Sequence, residues 1–155
     1  IDASTMEKGE DIFEMLLAKM TGEILKEDKA FQNMDAQKDY LIREVHKRLG
    51  SLYKKVLKLK QRSKNLDSKE ESPISALREL ARSIDLRQEF EELIKQYLNI
   101  KTGNKNYGDN CFLVVAIDDV DMNIEYGFDI LEQIQRYLKV NRLLVLLTIA
   151  YEQLL

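Results

Sequence analysis

The stretch Cys111-Phe112-Leu113-Val114-Val115-Ala116-Ile117 is unbroken apolar, rich in β-branched residues, and runs without a spacer into Asp118-Asp119-Val120-Asp121. An apolar run of that length reads as a strand buried on both faces, and such strands belong to parallel sheets covered by helices. A second continuous apolar run, Leu143–Ile149, follows a segment from about Glu125 to Leu138 whose Ile130, Leu131, Ile134 and Leu138 share a helical side. Strand, helix, strand in that order predicts a right-handed crossover between parallel strands. The expected class is therefore α/β.

The rest of the chain reads as helix. Ile12, Phe13, Leu16, Leu17, Met20 and Ile24 recur at three- and four-residue steps, so one face of a helix from Glu10 to about Leu25 is apolar. Glu10 and Asp11 open its first turn, where acids suit the positive end of the helix dipole. Leu41, Val45, Leu49, Leu52, Val56 and Leu59 then step by four, four, three, four and three along one narrow stripe. A helix from about Asp35 to Arg62 would be on the order of 40 Å long, so it should project or fold into a helical hairpin. Ser72-Pro73 supplies an N-cap and a first-turn proline for a helix to about Ser83, burying Ile74, Leu77 and Leu80. Asp85 caps a second run in which Leu86, Phe90, Leu93, Ile94, Tyr97 and Leu98 share a face. Residues Lys101–Asn110 are Gly-, Asn-, Lys- and Asp-rich, a loop signal.

Composition bounds the function. A chain of 155 residues, 45% hydrophobic and 33% charged, makes one domain and needs no disulfide staple, which its single Cys111 could not provide. Its longest apolar runs fall short of the roughly 20 residues of a membrane span, and no basic-then-apolar leader opens it, so a cytoplasmic protein is expected. With 24 basic against 27 acidic side chains and a net charge of −3, the surface as a whole does not attract phosphate backbones.

The chemistry concentrates where the first strand ends. Ligands of open α/β sheets bind at the carboxyl ends of the strands, and three carboxylates in four residues sit there: Asp118, Asp119 and Asp121. Crowded carboxylates repel one another unless a cation compensates, and hard oxygen ligands suit Mg²⁺. The plainer reading of Asp121 is a turn former or helix cap.

This stretch, Phe112 through Asp121, resembles the Walker B strand of P-loop NTPases, and its doubled acid followed by a third is similar to the AAA+, STAND and KAP-like ATPases. Leu143-Leu144-Val145-Leu146-Leu147-Thr148 resembles the sensor strand that follows, with a polar residue at its tip. The segment Leu77–Arg87, ahead of Phe90 and Tyr97-Leu98, is similar to the helical segment preceding the acidic strand in bacterial members. The resemblance implies a P-loop NTPase-like three-layer fold, helix-rich, with an incomplete parallel sheet and a long helical insertion. It implies ATP and Mg²⁺ as cofactors, Asp118 holding the metal through water, Asp119 joining it as metal ligand and polarising the attacking water, and Thr148 sensing the γ-phosphate. Asp119 is an aspartate where many AAA+ enzymes carry glutamate.

No G-x-x-x-x-G-K-[ST] occurs in the chain, and the nearest approach, Lys101–Asn106, lacks the first glycine and the spacing. Without that loop no backbone amides cradle the phosphates, so this chain alone is not expected to hydrolyse ATP. Ile1-Asp2-Ala3-Ser4 reads as the strand beyond a Walker A helix. The expectation is an internal portion of an ATPase domain over 1–155, with a helical region at about 35–100 and a βαβ unit at 111–155, used as a conformational switch or motor.

Two competing readings stand beside it: a non-catalytic helical protein-interaction module, and a nucleic-acid-associated regulator. The basic run Lys47, Arg48, Lys54, Lys55, Lys58, Lys60, Arg62 and Lys64 reads first as the wet side of a long helix, with Tyr53 its only interleaved aromatic. Thr148 also suits a strand simply by β-propensity, His46 reads as a surface histidine, and Cys111 as a packing residue. The stripe on the long helix drifts from strict heptads, which favours packing within the chain over a coiled coil. A nucleotide is the expected ligand, with protein partners or self-association; nucleic acid is not favoured, and no membrane is expected.

Overall fold

In the computed structural model, residues 1–6, 10–30, 36–66, 73–103, 111–120 and 127–148 are described. Three long helices, α1 (Ile12–Ala30), α2 (Ala36–Leu66) and α3 (Pro73–Thr102), precede β1 (Leu113–Ile117), α4 (Gly127–Gln133) and β2 (Leu143–Leu147).

The apolar face expected of α1 is the one it buries: Ile12, Phe13, Leu16, Leu17, Met20 and Ile24 are each 4% exposed or less. Its start is held by more than the dipole. Asp11 precedes the helix, and its Oδ1 accepts hydrogen bonds from the amides of Phe13 (2.8 Å) and Glu14 (3.4 Å), satisfying two otherwise orphaned donors. The Ile12 amide donates instead to Oε1 of Gln133 at 2.9 Å, which ties the helix start to the end of α4.

Helix α2 spans 31 residues, roughly 45 Å, and buries Ile42, Val45, Leu49, Leu52 and Val56. It pairs with α3 as a hairpin, shown by the Lys55–Glu89 ion pair at 2.6 Å. Helix α3 is continuous, where a break before Asp85 was expected; Asp85 lies exposed in mid-helix. Proline at its first position keeps its fixed φ harmless, and Gly103, at φ 66°, supplies the left-handed residue that ends it. Leu86, Phe90, Leu93, Ile94, Tyr97 and Leu98 are buried as expected, whereas Ile74, Leu77 and Leu80 are exposed by 62%, 64% and 56%. Leu80 lines a cavity of about 470 Å³ together with Val56, Leu59 and Lys60 of α2 and with Gln133 and Tyr137.

The helices converge on Phe13, whose ring meets Phe90 edge-on at 4.7 Å and Tyr137 at 5.4 Å. Tyr137 lies in a π-helical turn, Ile134–Leu138, that continues α4 and carries the buried Leu138.

Strands β1 and β2 pair in parallel, Leu113 opposite Leu143 through Ile117 opposite Leu147. On the other edge of β1, Asp2 forms a parallel bridge with Asp118, and the chain then enters a single 3₁₀ turn, Ala3–Thr5. The strand is not buried on both faces. Val115 and Ile117 are buried, while Phe112, Val114, Leu144 and Leu146 are about half exposed on the opposite face. Leu131, expected on the inner side of α4, is 40% exposed.

The three-layer P-loop fold is therefore overturned. The described residues form a mostly helical protein with one two-stranded parallel sheet, covered on one side. The reason is the allocation of apolar surface: α1, α2 and the second half of α3 direct their stripes at one another, and no described helix covers Phe112, Val114, Leu144 and Leu146. Expected positions Asp121 and Ile149 lie outside the described residues.

Truncation at the convergence point and on the bare face should differ sharply. Phe13→Ala is expected to cost about 3–5 kcal/mol in urea denaturation, and Leu146→Ser about 0.5 kcal/mol or less. Comparable losses would contradict the one-sided burial.

Candidate functional site at the strand tips

The parallel register decides which residues leave the sheet together. Ile117 and Leu147 are opposite, so Asp118 and Thr148 emerge side by side at the carboxyl ends of β1 and β2. The ladder continues one step beyond the strands, where the Thr148 amide donates to the Ile117 carbonyl at 3.0 Å.

Side chains then take over from the backbone. The Thr148 hydroxyl donates to Oδ1 of Asp118. The Asp119 amide is shared between that same Oδ1, at 3.1 Å, and Oγ1 of Thr148, at 3.3 Å. All three side chains are exposed. These bonds orient the Asp118 carboxylate through one oxygen, and its Oδ2 receives no hydrogen bond from a described residue. Asp119 adopts φ 55°, a left-handed conformation that Asp tolerates better than most residues because its short polar side chain bonds locally. The chain turns sharply there and leaves the sheet.

Asp2 is the neighbour that sequence reasoning did not single out. Its bridge to Asp118 sets the two side by side on adjacent chain segments. The Asp118 amide donates to the Ile1 carbonyl and the Ala3 amide to the Asp118 carbonyl, both at 2.8 Å. The Asp2 carboxylate is engaged as a cap, its Oδ1 accepting from the Ser4 amide at 3.0 Å and the Ser4 hydroxyl at 2.6 Å. Those bonds, the hydroxyl first, hold its pKa below the ordinary value of 3.8. Local sequence carries no comparable signal for Asp2, since its place beside Asp118 is set by a bridge between segments 116 residues apart.

Among the described residues no group of three or more His, Cys, Asp or Glu side chains is arranged to enclose a metal, which excludes a closed all-protein cage within them. Mg²⁺ needs no such cage, because it commonly keeps several waters and takes one or two carboxylates plus phosphate oxygens. Asp118, with one oriented and one open oxygen, meets that requirement.

Other expected positions separate from this tip. His46 is half-buried, not on the surface, and with Glu14 it lines a groove of about 480 Å³ between α1 and α2. Cys111 is a free thiol packed against the core. Lys54, Lys55 and Lys58 are exposed on α2, while Lys60 turns inward to Glu14 at 2.7 Å and Asp11 at 3.6 Å.

Compared with known proteins, the chain matches no family model and no curated sequence.

Two measurements probe this local geometry. Asp119→Val should lower stability by about 1–2 kcal/mol, since a β-branched side chain is strained in the left-handed region, while Asp119→Asn should leave it nearly unchanged; equal effects would contradict the turn. The Ser4 amide resonance should titrate with a midpoint below pH 3.8. The sign follows from linkage: a depressed carboxyl contributes stability above its unfolded pKa and loses it as pH falls through the folded one. In Asp2→Asn that titration should vanish.

Proposed function

We propose that this chain supplies the cation-binding and water-positioning side of a Mg²⁺-dependent ATP-hydrolysing site, in a protein that uses the nucleotide as a conformational switch or motor. The observation that carries this reading is the Thr148 hydroxyl bonded to Asp118 across adjacent parallel strands, with the Asp119 amide on both. Two residues 30 apart in the chain meet at the strand ends where phosphate ligands of α/β sheets bind.

Each residue has a separate task. Asp118, steered by Thr148, offers its open oxygen to waters or a cation beside the phosphates. Asp119, adjacent and exposed, accepts a hydrogen bond from the attacking water. Thr148, at the tip of β2, holds the Asp118 carboxylate and the Asp119 amide in place through its hydroxyl beside the same phosphates. When bound, the cation neutralises charge on the phosphate oxygens, and phosphoryl transfer otherwise requires mainly positioning.

The phosphate cradle lies elsewhere in this reading. The 155 residues contain no G-x-x-x-x-G-K-[ST], so the donors that wrap the phosphates come from polypeptide outside them, and the chain alone does not turn over ATP. No described helix is long and apolar enough to cross a membrane. An unpaired cysteine suits a reducing compartment, and we assign the protein to the cytoplasm.

In the gene product that carries this chain, Asp118→Asn and Asp119→Asn should each lower ATP turnover about 100-fold or more, with folding unchanged by circular dichroism. Wild-type rates in both variants would reject the site.

A further inference from the structure

The hydrogen bonds at the two ends of the sheet fix which way each peptide group of β2 points. The Arg142 carbonyl accepts from the Leu113 amide at 2.8 Å, and the Thr148 amide donates to the Ile117 carbonyl at 3.0 Å. The even-numbered residues of β2 therefore face β1 through their backbone. Because a strand alternates, Leu143, Val145 and Leu147 turn their N–H and C=O groups the other way. No described segment pairs with that edge, since the sheet contains β1 and β2 alone. The far edge of β1 is different, for residues 1–3 close its carboxyl end through Ala116 and Asp118. Among the described residues, the outer edge of β2 is the one that stands open along a whole strand.

Nothing in the strand protects this edge. Leu143-Leu144-Val145-Leu146-Leu147 holds no charge and no proline, and Leu144 and Leu146 are about half exposed on the bare face. Natural edge strands are ordinarily blunted by charge, proline or a bulge, and an unblunted one is a template for another strand. Its own sequence selects the partner. It reads the same in both directions, so a twofold axis at Val145 sets an identical strand antiparallel to it with Leu143 opposite Leu147 and Leu144 opposite Leu146. The outward-facing residues 143, 145 and 147 then fall opposite one another, each pair exchanging both backbone bonds, and leucine meets leucine on the bare face. Charge favours the same direction. Lys139 and Arg142 lie just ahead of β2, whereas Asp2, Asp118 and Asp119 stand at its far end. Antiparallel copies bring the basic end of each toward the acidic tip of the other, and parallel copies would set like charges together.

We infer that the open edge of β2 pairs with the same edge of a second copy of this chain, joining the two sheets about a twofold axis. Such an interface is isologous and uses up the open edge of both copies, so assembly stops at two. A foreign strand would engage the same donors without the palindromic match. The inference concerns the edge and not the tip residues, and it stands or falls independently of the ATPase reading.

The test is sedimentation equilibrium of the full chain over a concentration series, together with amide exchange by NMR. A monomer–dimer equilibrium is expected, with exchange slowing as concentration rises at Leu143, Val145 and Leu147. Leu144→Lys/Leu146→Lys sets like charges opposite each other and should weaken the dimer at least about tenfold. Leu144→Lys/Leu146→Glu sets lysine opposite glutamate in the same register and should hold dimerisation within about threefold of wild type. Both side chains are exposed, so the two variants should keep wild-type helicity and Tm. A monomer at every concentration would overturn the inference, as would equal effects of the two variants. So would open-ended growth of aggregates, or a dimer that leaves those three amides unprotected.

Discussion

The parallel pairing of β1 with β2 is the constraint on which the Asp118–Thr148 cluster at the strand tips depends. Two strands cannot pair in parallel through a tight turn, so the chain must cross over between them, and α4 with its π-helical turn lies in that crossover. The register then delivers Asp118 and Thr148 to the same tip. Shifted by one residue, every side chain would change face, and the hydroxyl of Thr148 would no longer meet the carboxylate.

The crossover is itself held by the helical layer. The amide of Ile12 on the side chain of Gln133 and the ring of Phe13 on Tyr137 join the start of α1 to the segment between the strands. Lys60 of α2 closes on Asp11 and Glu14 at the same place. Burial explains why this junction matters: Asp11 is 6% exposed, and a carboxylate so placed requires the two amides and the ammonium that surround it.

Much of this was legible locally. The α1 stripe is buried residue for residue because a 3.6-residue period is written in the side chains themselves. The strand tips were legible because acids directly follow an apolar run. The break expected before Asp85 was not there, and the reason is instructive. A change in the phase of an apolar stripe looks the same whether the helix ends or merely turns a different face to its surroundings. Burial on both faces of β1 failed for a related reason: an unbroken apolar run has no alternation from which to learn that Val114 is exposed and Val115 is not.

By itself, the sequence determined the kinds of element and the acids that end the first strand, because both follow from contacts within a few residues. Tertiary structure alone decided that Thr148 reaches Asp118, that Asp2 bridges to it, that Lys60 serves Asp11, and that one sheet face and one stripe of α3 stay open. Those outcomes depend on where distant segments cross, and side-chain periodicity carries no record of what lies opposite.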